Sequence, residues 1–231
     1  MATFVLIPGA GSDSWYWHLV VPELRAGGHD VVAVDLPCDD ASAGLDEYTD
    51  VVVAAIGRRA RTDDLVVVAQ SMGGFTAPLV CERLPVRLMV LVAAMVPMPG
   101  ETGGDWWINT GQGEAMRAAA SDGGYSVDEF DESVMFLHDV PAAVIEEGAA
   151  HMRDQSDTPF AKPWPLDRWP EVPTRFLLCR DDRLFPADFQ RRVVRERLGV
   201  EPDEMPGGHL PALARPHDLA QRLLAYADGL G

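Results

Sequence analysis

The feature of this sequence that most constrains its fold is an alternation of short apolar runs with segments of helical periodicity. The runs are rich in Val, Leu and Ile and alternate little with polar side chains, which is typical of strands covered on both faces. They span residues 4–7, 31–34, 65–69, 88–92 and 176–179, and residues 201–205 are a further candidate strand. Such an alternation predicts an α/β fold with a mostly parallel, doubly wound sheet and right-handed crossovers.

Helical patterns fill most of the gaps between these strands. They cover residues 17–25, 48–61, 75–83, 189–198 and 219–227. In the last two, apolar side chains recur at the spacing of one helical face, so these helices are expected to flank the sheet.

From about residue 97 to 165 the strand pattern disappears. This stretch is rich in Gly, Pro, Trp and acidic residues, with helical patterns near 114–120 and 142–153. A loop of that length inside a compact domain is usually functional, for example as a lid over a site. We interpret it as a helical cap inserted into a single domain that spans residues 1–231.

Composition and charge narrow the class of protein. Hydrophobic residues make up 47% and charged residues 24%, the ordinary balance of a globular chain. No apolar run approaches the roughly 20 residues of a membrane span, and a formal charge of −17 repels phosphate backbones. Neither membrane nor nucleic acid is therefore expected as a partner, whereas a homodimer stays open. The first residues resemble a strand more than a signal peptide, so a cytoplasmic location is expected.

The three cysteines, Cys38, Cys81 and Cys179, are widely spaced and form no CxxC pair. This pattern indicates neither a disulfide framework nor a thiolate metal site. Buried free thiols are expected, and no cofactor or metal is indicated.

A candidate nucleophile lies directly after the third apolar run. Ser71 follows residues 65–70 and precedes a helical pattern, with the small residues Ala69 and Gly73 two positions to either side. This is the context of a G-x-S-x-G elbow, in which a strained strand-to-helix turn exposes the serine at a helix N-terminus. An ordinary helix cap is the alternative.

The turn after the first strand, Pro8-Gly9-Ala10-Gly11, can direct a backbone N–H into the same site. The N–H groups of Ala10 and Met72 are therefore expected to form an oxyanion hole. A dinucleotide fingerprint is a rival interpretation, because Asp35 ends the next strand at a ribose-binding distance. Ser14 at the third glycine position, followed by three bulky aromatic residues, argues against it.

His209 and two aspartates complete a possible triad. His209 lies in a Gly-rich turn after the last strand, and Asp181 and Asp182 follow the strand at 176–179. The aspartate would accept the Nδ1–H of the histidine and stabilise the imidazolium. The chain order Ser, Asp, His is that of α/β-hydrolases.

The chain resembles the α/β-hydrolase superfamily over nearly its full length, and within it the group of plant methylesterases, hydroxynitrile lyases and their bacterial esterase relatives. The matching stretches are residues 4–10, 28–31, 35–36, 70–74, 169–173, 182–186 and 208–209. The resemblance implies that the second aspartate, four before Pro186, is the triad acid, so Asp182 is chosen and Asp181 is the fallback. It also implies an α/β-hydrolase fold.

The chain departs from the pattern of this group at several positions. Pro8 and Gln70 each stand where the group usually has His, which weakens substrate inference by analogy. Similar lyases carry Thr in place of Gly9 and Lys in place of Leu210. Because neither lyase residue is present, hydrolysis is favoured.

The sequence therefore predicts a serine esterase that cleaves a small, neutral, apolar carboxylic ester through an acyl-Ser71 intermediate. Four aromatic residues are the candidates for the substrate pocket: Trp106, Trp107, Phe136 and Trp164. A cofactor-free lyase or cyclase with the same Ser, His and Asp is the main alternative, and a non-catalytic binding protein on the same fold is a further one.

Overall fold

Six parallel strands form one sheet in the order β2-β1-β3-β4-β5-β6 in the computed structural model, which describes residues 1–57 and 64–229. The strands are β1 (Thr3–Ile7), β2 (Asp30–Ala33), β3 (Leu65–Gln70), β4 (Val86–Val92), β5 (Thr174–Cys179) and β6 (Asp203–Met205). Each of the six predicted strands is present within a few residues. The α/β class and the parallel sheet expected from the apolar runs are confirmed.

Helices cover both faces of this sheet. They are α1 (Val21–Ala26), α2 (Leu45–Ile56), α3 (Gly73–Arg83), α4 (Gly103–Thr110), α5 (Gln112–Gly123), α6 (Glu132–Met135), α7 (Ala142–Gly148), α8 (Thr158–Ala161), α9 (Ala187–Leu198), α10 (Pro211–Ala214) and α11 (Pro216–Asp228). Short 3-10 helices lie at Ser14–Trp17 and Ala149–His151.

Alternate residues of each strand point to opposite faces and divide the core into two layers. Val5 and Val67 pack in the layer that includes side chains of α2, α3 and α9. Phe4 and Val66 pack in the layer that includes side chains of α1, α10 and α11. The sheet is therefore doubly wound, and its central strands are covered on both faces as their composition indicates.

Two predicted helices differ from those observed. The pattern at 17–25 is divided, because Pro22 lacks an N–H and is accommodated only in the first turn of a helix, so α1 begins at Val21. The pattern at 48–61 begins earlier, at Leu45, and α2 ends at Ile56; residues 58–61 lie outside the described residues.

Residues 93–173, called the inserted segment below, connect β4 to β5. They contain α4 to α8 and no strand, and every one of them is described. The segment therefore begins at the carboxyl-terminal edge of the sheet, where open α/β sheets bind their ligands. It ends at the opposite edge, where the parallel strand β5 begins. Within the described part of the chain, no helix is long and apolar enough to cross a membrane.

Candidate active site

Ser71 occupies a strained turn between β3 and α3. Its φ of 50° lies in the left-handed region, which a non-glycine residue seldom adopts. The Ser71 N–H donates to Val92 O at 3.3 Å, and the Ser71 carbonyl accepts from the N–H groups of Gly74 and Met95 at 3.1 and 2.9 Å. These bonds hold the turn in a conformation that the residue alone would not favour. The local sequence context had predicted such an elbow.

The closeness of α3 to the strand edge explains why small residues follow the serine. A Cβ at Gly74 would lie 1.9 Å from the carbonyl oxygen of Met95. Any side chain at this position would push α3 away from the residues that follow β4. The glycine therefore keeps Ser71 at the start of α3.

Three residues from distant parts of the sequence converge at the ends of the strands. The Oγ of Ser71 lies 3.0 Å from Nε2 of His209. The Nδ1 of the same imidazole lies 2.8 Å from Oδ2 of Asp182. His209 is 1% exposed and Asp182 is 4% exposed, so both partners of this pair are shielded from bulk water. The arrangement can transfer the hydroxyl proton to the imidazole and stabilise the resulting cation.

Asp182 is oriented by the turn that follows β5. Its second oxygen, Oδ1, accepts from the N–H groups of Leu184 and Phe185 at 2.9 and 2.8 Å. Gln190 of α9 approaches Oδ2 at 3.4 Å. Sequence reasoning missed Gln190, because its position eight residues after the aspartate carries no recognisable motif.

The fallback acid, Asp181, lies in a different place. Its Oδ2 accepts from the Gly207 N–H at 2.8 Å, and its own N–H donates to the Gly207 carbonyl at 3.0 Å. Asp181 therefore joins the β5 turn to the loop that carries His209. Of the two aspartates, only Asp182 is hydrogen-bonded to the imidazole.

The two candidate oxyanion donors are the backbone N–H groups of Met72, which directly follows Ser71, and of Ala10, which follows Gly9 in the loop that packs against Ser71. Within residues 1–57 and 64–229, neither Ala10 N–H nor Met72 N–H donates to another protein group. Ala10 is exposed, whereas Met72 is buried at the start of α3. Both donors are therefore free to bind a substrate oxygen.

Gly9 packs tightly against the elbow. A Cβ at this position would lie 2.4 Å from Oε1 of Gln70 and 3.0 Å from Cβ of Ser71. The Thr that similar lyases carry here would therefore collide with the buried Gln70 side chain. Gly9, where similar lyases carry Thr, and Gln70, where the group usually has His, thus fit each other sterically.

The rival dinucleotide fingerprint does not match the geometry of its loop. The carboxylate of Asp35, which would bind a ribose, instead accepts from the Ser14 N–H at 2.7 Å. The chain after Gly11 enters a short 3-10 helix capped by Asp13, whereas a nucleotide loop leads into an α-helix whose N-terminus binds pyrophosphate.

The four predicted pocket aromatics separate into two groups. Phe136 lies beside the imidazole, with ring centroids 5.4 Å apart. Trp106 and Trp164 are fully buried, and their indole N–H groups donate to the carbonyls of Val96 and Phe75. These two side chains pack the inserted segment onto the core, and the ring of Trp106 also lies 5.3 Å from that of Phe185.

A second ring beside the imidazole was not predicted. Phe185 is perpendicular to His209 with centroids 4.9 Å apart. Trp107 is half-buried, and its ring centroid lies 5.8 Å from that of Phe185. Trp107 therefore contacts Phe185 on the side of the inserted segment. The position of Phe185 within the stretch 182–186 was a usable signal, since that stretch carries the triad acid.

Burial controls the other ionisable groups behind the triad. It raises the pKa of the Cys179 thiol well above its usual range, and the charge of Asp182 acts in the same direction. Burial likewise raises the pKa of the Tyr16 hydroxyl. Both groups therefore stay neutral near pH 7, and Cys179 does not supply a competing thiolate nucleophile.

Residues 4–222 match the alpha/beta hydrolase family, so the chain belongs to it. Methylesterase 1 of Arabidopsis thaliana is 26% identical, with 97% of this chain and 95% of that protein covered. Methyl jasmonate esterase 1 of Vitis vinifera is 24% identical, with 95% and 94% covered. The crystal structure of polyneuridine aldehyde esterase superposes with a TM-score of 0.81 at 20% identity, over 99% of this chain and all of that one, which shows a shared fold.

These similarities confirm the predicted resemblance to the methylesterase group and the predicted α/β-hydrolase fold. They also confirm the predicted class of enzyme, a carboxylic ester hydrolase.

Proposed function

We propose that this enzyme hydrolyses a small, neutral and largely apolar carboxylic ester through a covalent acyl-Ser71 intermediate. The observation that carries the proposal is the continuous hydrogen-bonded series from Ser71 Oγ to His209 Nε2 at 3.0 Å and from His209 Nδ1 to Asp182 at 2.8 Å. A serine hydroxyl is a weak nucleophile unless an adjacent base removes its proton during attack. His209 is placed to do this, and Asp182 fixes its tautomer.

In the first half-reaction, Ser71 Oγ attacks the ester carbonyl carbon while its proton moves to His209 Nε2. The carbonyl oxygen becomes an oxyanion and accepts from the N–H groups of Ala10 and Met72. As the C–O bond to the alcohol breaks, the imidazolium returns the proton to the leaving oxygen. The products of this half are the free alcohol and acyl-Ser71.

In the second half-reaction, His209 takes a proton from water, and the hydroxide oxygen attacks the acyl carbon. Breakage of the bond to Ser71 Oγ releases the carboxylic acid, and the proton on His209 restores the hydroxyl. No cofactor is needed to balance either half.

The surroundings of the imidazole support an apolar, neutral substrate. Phe136 and Phe185 are the aromatic rings in contact with it, and aromatic walls favour apolar groups. The ring of Phe130 lies next to that of Phe136, with centroids 6.0 Å apart. Phe130 lines a surface cleft together with Asp131 and Glu132. Carboxylates at this cleft disfavour anionic substrates by repulsion. The relatives named as methyl esterases suggest a methyl ester as the first class to test.

We further propose that residues 97–165 of the inserted segment form the cap of a single domain, because they supply Phe136 and Trp107 to the surroundings of the triad. The cytoplasmic location and the homodimer stay predictions.

The test is hydrolysis of a series of p-nitrophenyl and methyl esters of graded acyl length by wild type and Ser71→Ala. Loss of the nucleophile lowers kcat on the order of 10⁶-fold in a comparable triad, so Ser71→Ala is expected to be inactive. Mass spectrometry of wild type with an activated ester should find the acyl mass on the peptide that contains Ser71. Activity of Ser71→Ala above about one per cent of wild type would contradict the proposal, given that magnitude.

The same experiment separates the alternatives. A lyase or cyclase would turn over its substrate without acylating Ser71, and a binding protein would leave Ser71 unreactive towards a fluorophosphonate probe. Labelling of wild type but not of His209→Ala is expected for the esterase, since the base is needed to activate the serine.

A further inference from the structure

Two side chains of the inserted segment accept hydrogen bonds from the loops that carry the proposed catalytic groups. The Oε1 of Gln155 accepts from the Gly11 N–H at 3.1 Å. The Oδ2 of Asp139 accepts from the Gly208 N–H at 2.7 Å. Gly11 directly follows Ala10, and Gly208 directly precedes His209. Each acceptor is therefore bound to the residue next to one part of the catalytic machinery.

From this placement we propose that Gln155 and Asp139 are positioning residues, which hold the oxyanion loop and the base loop in their reactive geometry. The proposal rests on the function proposed above. It makes the inserted segment a structural part of the catalytic apparatus, in addition to any role in covering the substrate.

The side-chain amide of Gln155 makes three hydrogen bonds. Its Nε2 donates to the Tyr48 hydroxyl at 3.1 Å and to the Ser156 carbonyl at 2.8 Å, which leaves Oε1 directed at Gly11. The neighbouring Arg153 N–H donates to the Gly11 carbonyl at 3.1 Å. Gly11 is thus bonded through both its N–H and its C=O, and the direction of the adjacent Ala10 N–H is fixed by these bonds.

Asp139 plays the corresponding part at the base loop. Gly207 and Gly208 give this loop much backbone freedom, so external bonds must define the position of His209. Asp181 binds Gly207 from the β5 side, and Asp139 binds Gly208 from the side of the inserted segment. The second carboxylate oxygen of Asp139 is buried without a partner, as is Nε2 of the adjacent His138. A buried oxygen without a hydrogen-bond partner is costly for stability, which is consistent with a functional reason for the presence of Asp139.

Loss of either acceptor should reduce turnover more than substrate binding. A donor or base displaced by about 1 Å can cost up to 10²-fold in rate, whereas contacts with the ground-state substrate are unchanged. We expect Gln155→Met and Asp139→Ala each to lower kcat about tenfold and to leave KM within about twofold, because the loops are loosened and the groups remain. Asp139→Asn keeps an acceptor oxygen and should restore most of the activity.

The experiment measures kcat and KM for these variants on one activated ester, beside Asp154→Ala as a control. Asp154 is exposed and makes no hydrogen bond or ion pair within the described ranges. Two further measurements report on the loops themselves. For Gln155→Met, the affinity for a trifluoromethyl ketone, which forms an oxyanion adduct, should fall in parallel with kcat. For Asp139→Ala, the rate of fluorophosphonate labelling should fall in the same way.

If kcat of both variants stays within twofold of Asp154→Ala, or if Asp139→Asn is as impaired as Asp139→Ala, the positioning role is wrong. Gln155 is half-buried and Met has a similar length, so Gln155→Met decides the question even if Asp139→Ala does not fold. Ser71→Ala, assayed in parallel, separates the two proposals. An active Ser71→Ala would overturn the catalytic assignment, whereas an inactive one beside fully active Gln155→Met would overturn only the positioning role.

Discussion

The side-chain amide of Gln70 donates to the backbone carbonyl of His209 at 2.9 Å, across 139 residues of sequence. Gln70 is the last residue of β3 and directly precedes the proposed nucleophile, Ser71, and its side chain is buried. The strand that positions Ser71 therefore also binds the backbone of the proposed base, His209. Most members of the resembling group have His at this position, so this chain makes the connection with a different side chain.

Replacement of Gln70 by Leu should impair both stability and catalysis. Leu has a similar size but cannot donate, which leaves the buried carbonyl of His209 without this bond at a cost of about 1–3 kcal/mol. For a chain of this length each kcal/mol corresponds to about 2–4 °C in Tm. Thermal unfolding should show this decrease, and kcat should fall because His209 is less well held. Gln221→Leu, at an exposed position of α11, should change neither; an unaltered kcat in Gln70→Leu would contradict the role of the bond.

The choice between the two neighbouring aspartates can be tested directly. Asp182→Asn keeps the shape of the side chain but removes the charge that stabilises the imidazolium, and the same change in another serine hydrolase lowers kcat roughly 10⁴-fold. Asp181→Asn keeps an oxygen for the Gly207 N–H and should lower kcat less than about tenfold, since its effect is only on loop position. Steady-state kinetics of both variants on one ester would decide. Equal losses would contradict the assignment of Asp182.

The sequence predicted those parts of the molecule that depend on local pattern. The central strands are apolar throughout because both faces are covered, so they stand out as runs. The elbow was recognisable because strand, Ser71 and helix are contiguous in the sequence. The chain order Ser, Asp, His then predicted the remaining members of the proposed triad, and the family resemblance favoured Asp182 over Asp181.

The features that could not be predicted depend on contacts between distant residues, or on which side of a short helix faces the core. Trp106 and Trp107 are neighbours on α4, yet the first is fully buried and the second half-buried. Composition alone could not say which would face the core. The bonds of Gln155 and Asp139 to backbone N–H groups leave no side-chain pattern at their partners, because a backbone donor is present at almost every residue.

The close approach at Gly74 predicts a large effect of one added methyl group. In Gly74→Ala the new Cβ would lie 1.9 Å from the carbonyl of Met95, so α3 or the chain after β4 must shift. Overpacking of this kind costs about 1–3 kcal/mol or more. Urea unfolding should show the loss of stability, and the displaced elbow should lower kcat as well.

Gly104→Ala is a matched control for this change. Gly104 lies in the first turn of α4, where the nearest atom to a new Cβ would be 3.8 Å away. Ala is favoured over Gly in a helix by roughly 0.5–1 kcal/mol, so this variant should be slightly more stable than wild type. If both variants have the same stability, the packing argument for Gly74 is wrong.

An ion pair joins the start of the inserted segment to α9. Arg197 binds both oxygens of Glu101, at 2.5 and 2.9 Å, and both side chains are buried. The carboxylate also accepts from the Asn109 side chain and the Met98 N–H. Burial raises the pKa of Glu101, but the hydrogen bonds from Arg197, Asn109 and Met98 outweigh it, so the pKa is lowered overall.

This lowered pKa predicts the direction of a pH effect. The unfolded chain binds a proton at Glu101 near pH 4.3, whereas the folded chain does so only at lower pH. The pair therefore contributes its full stability above about pH 4.3 and loses it as the pH falls through the folded-state pKa. Glu101→Gln leaves the buried Arg197 without a counter-charge, which costs about 3–5 kcal/mol at pH 7.

Urea unfolding of wild type and Glu101→Gln at a series of pH values between 7 and 3 should show this cost shrink at the acid end. Protonation of Glu101 in wild type removes the same charge that the substitution removes, so the two proteins converge in stability. Glu146→Gln, which alters an exposed residue of α7, should follow wild type at every pH. A difference between wild type and Glu101→Gln that stays constant or widens towards pH 3 would show that the carboxylate charge is not what binds Arg197 and stabilises the contact between the inserted segment and α9.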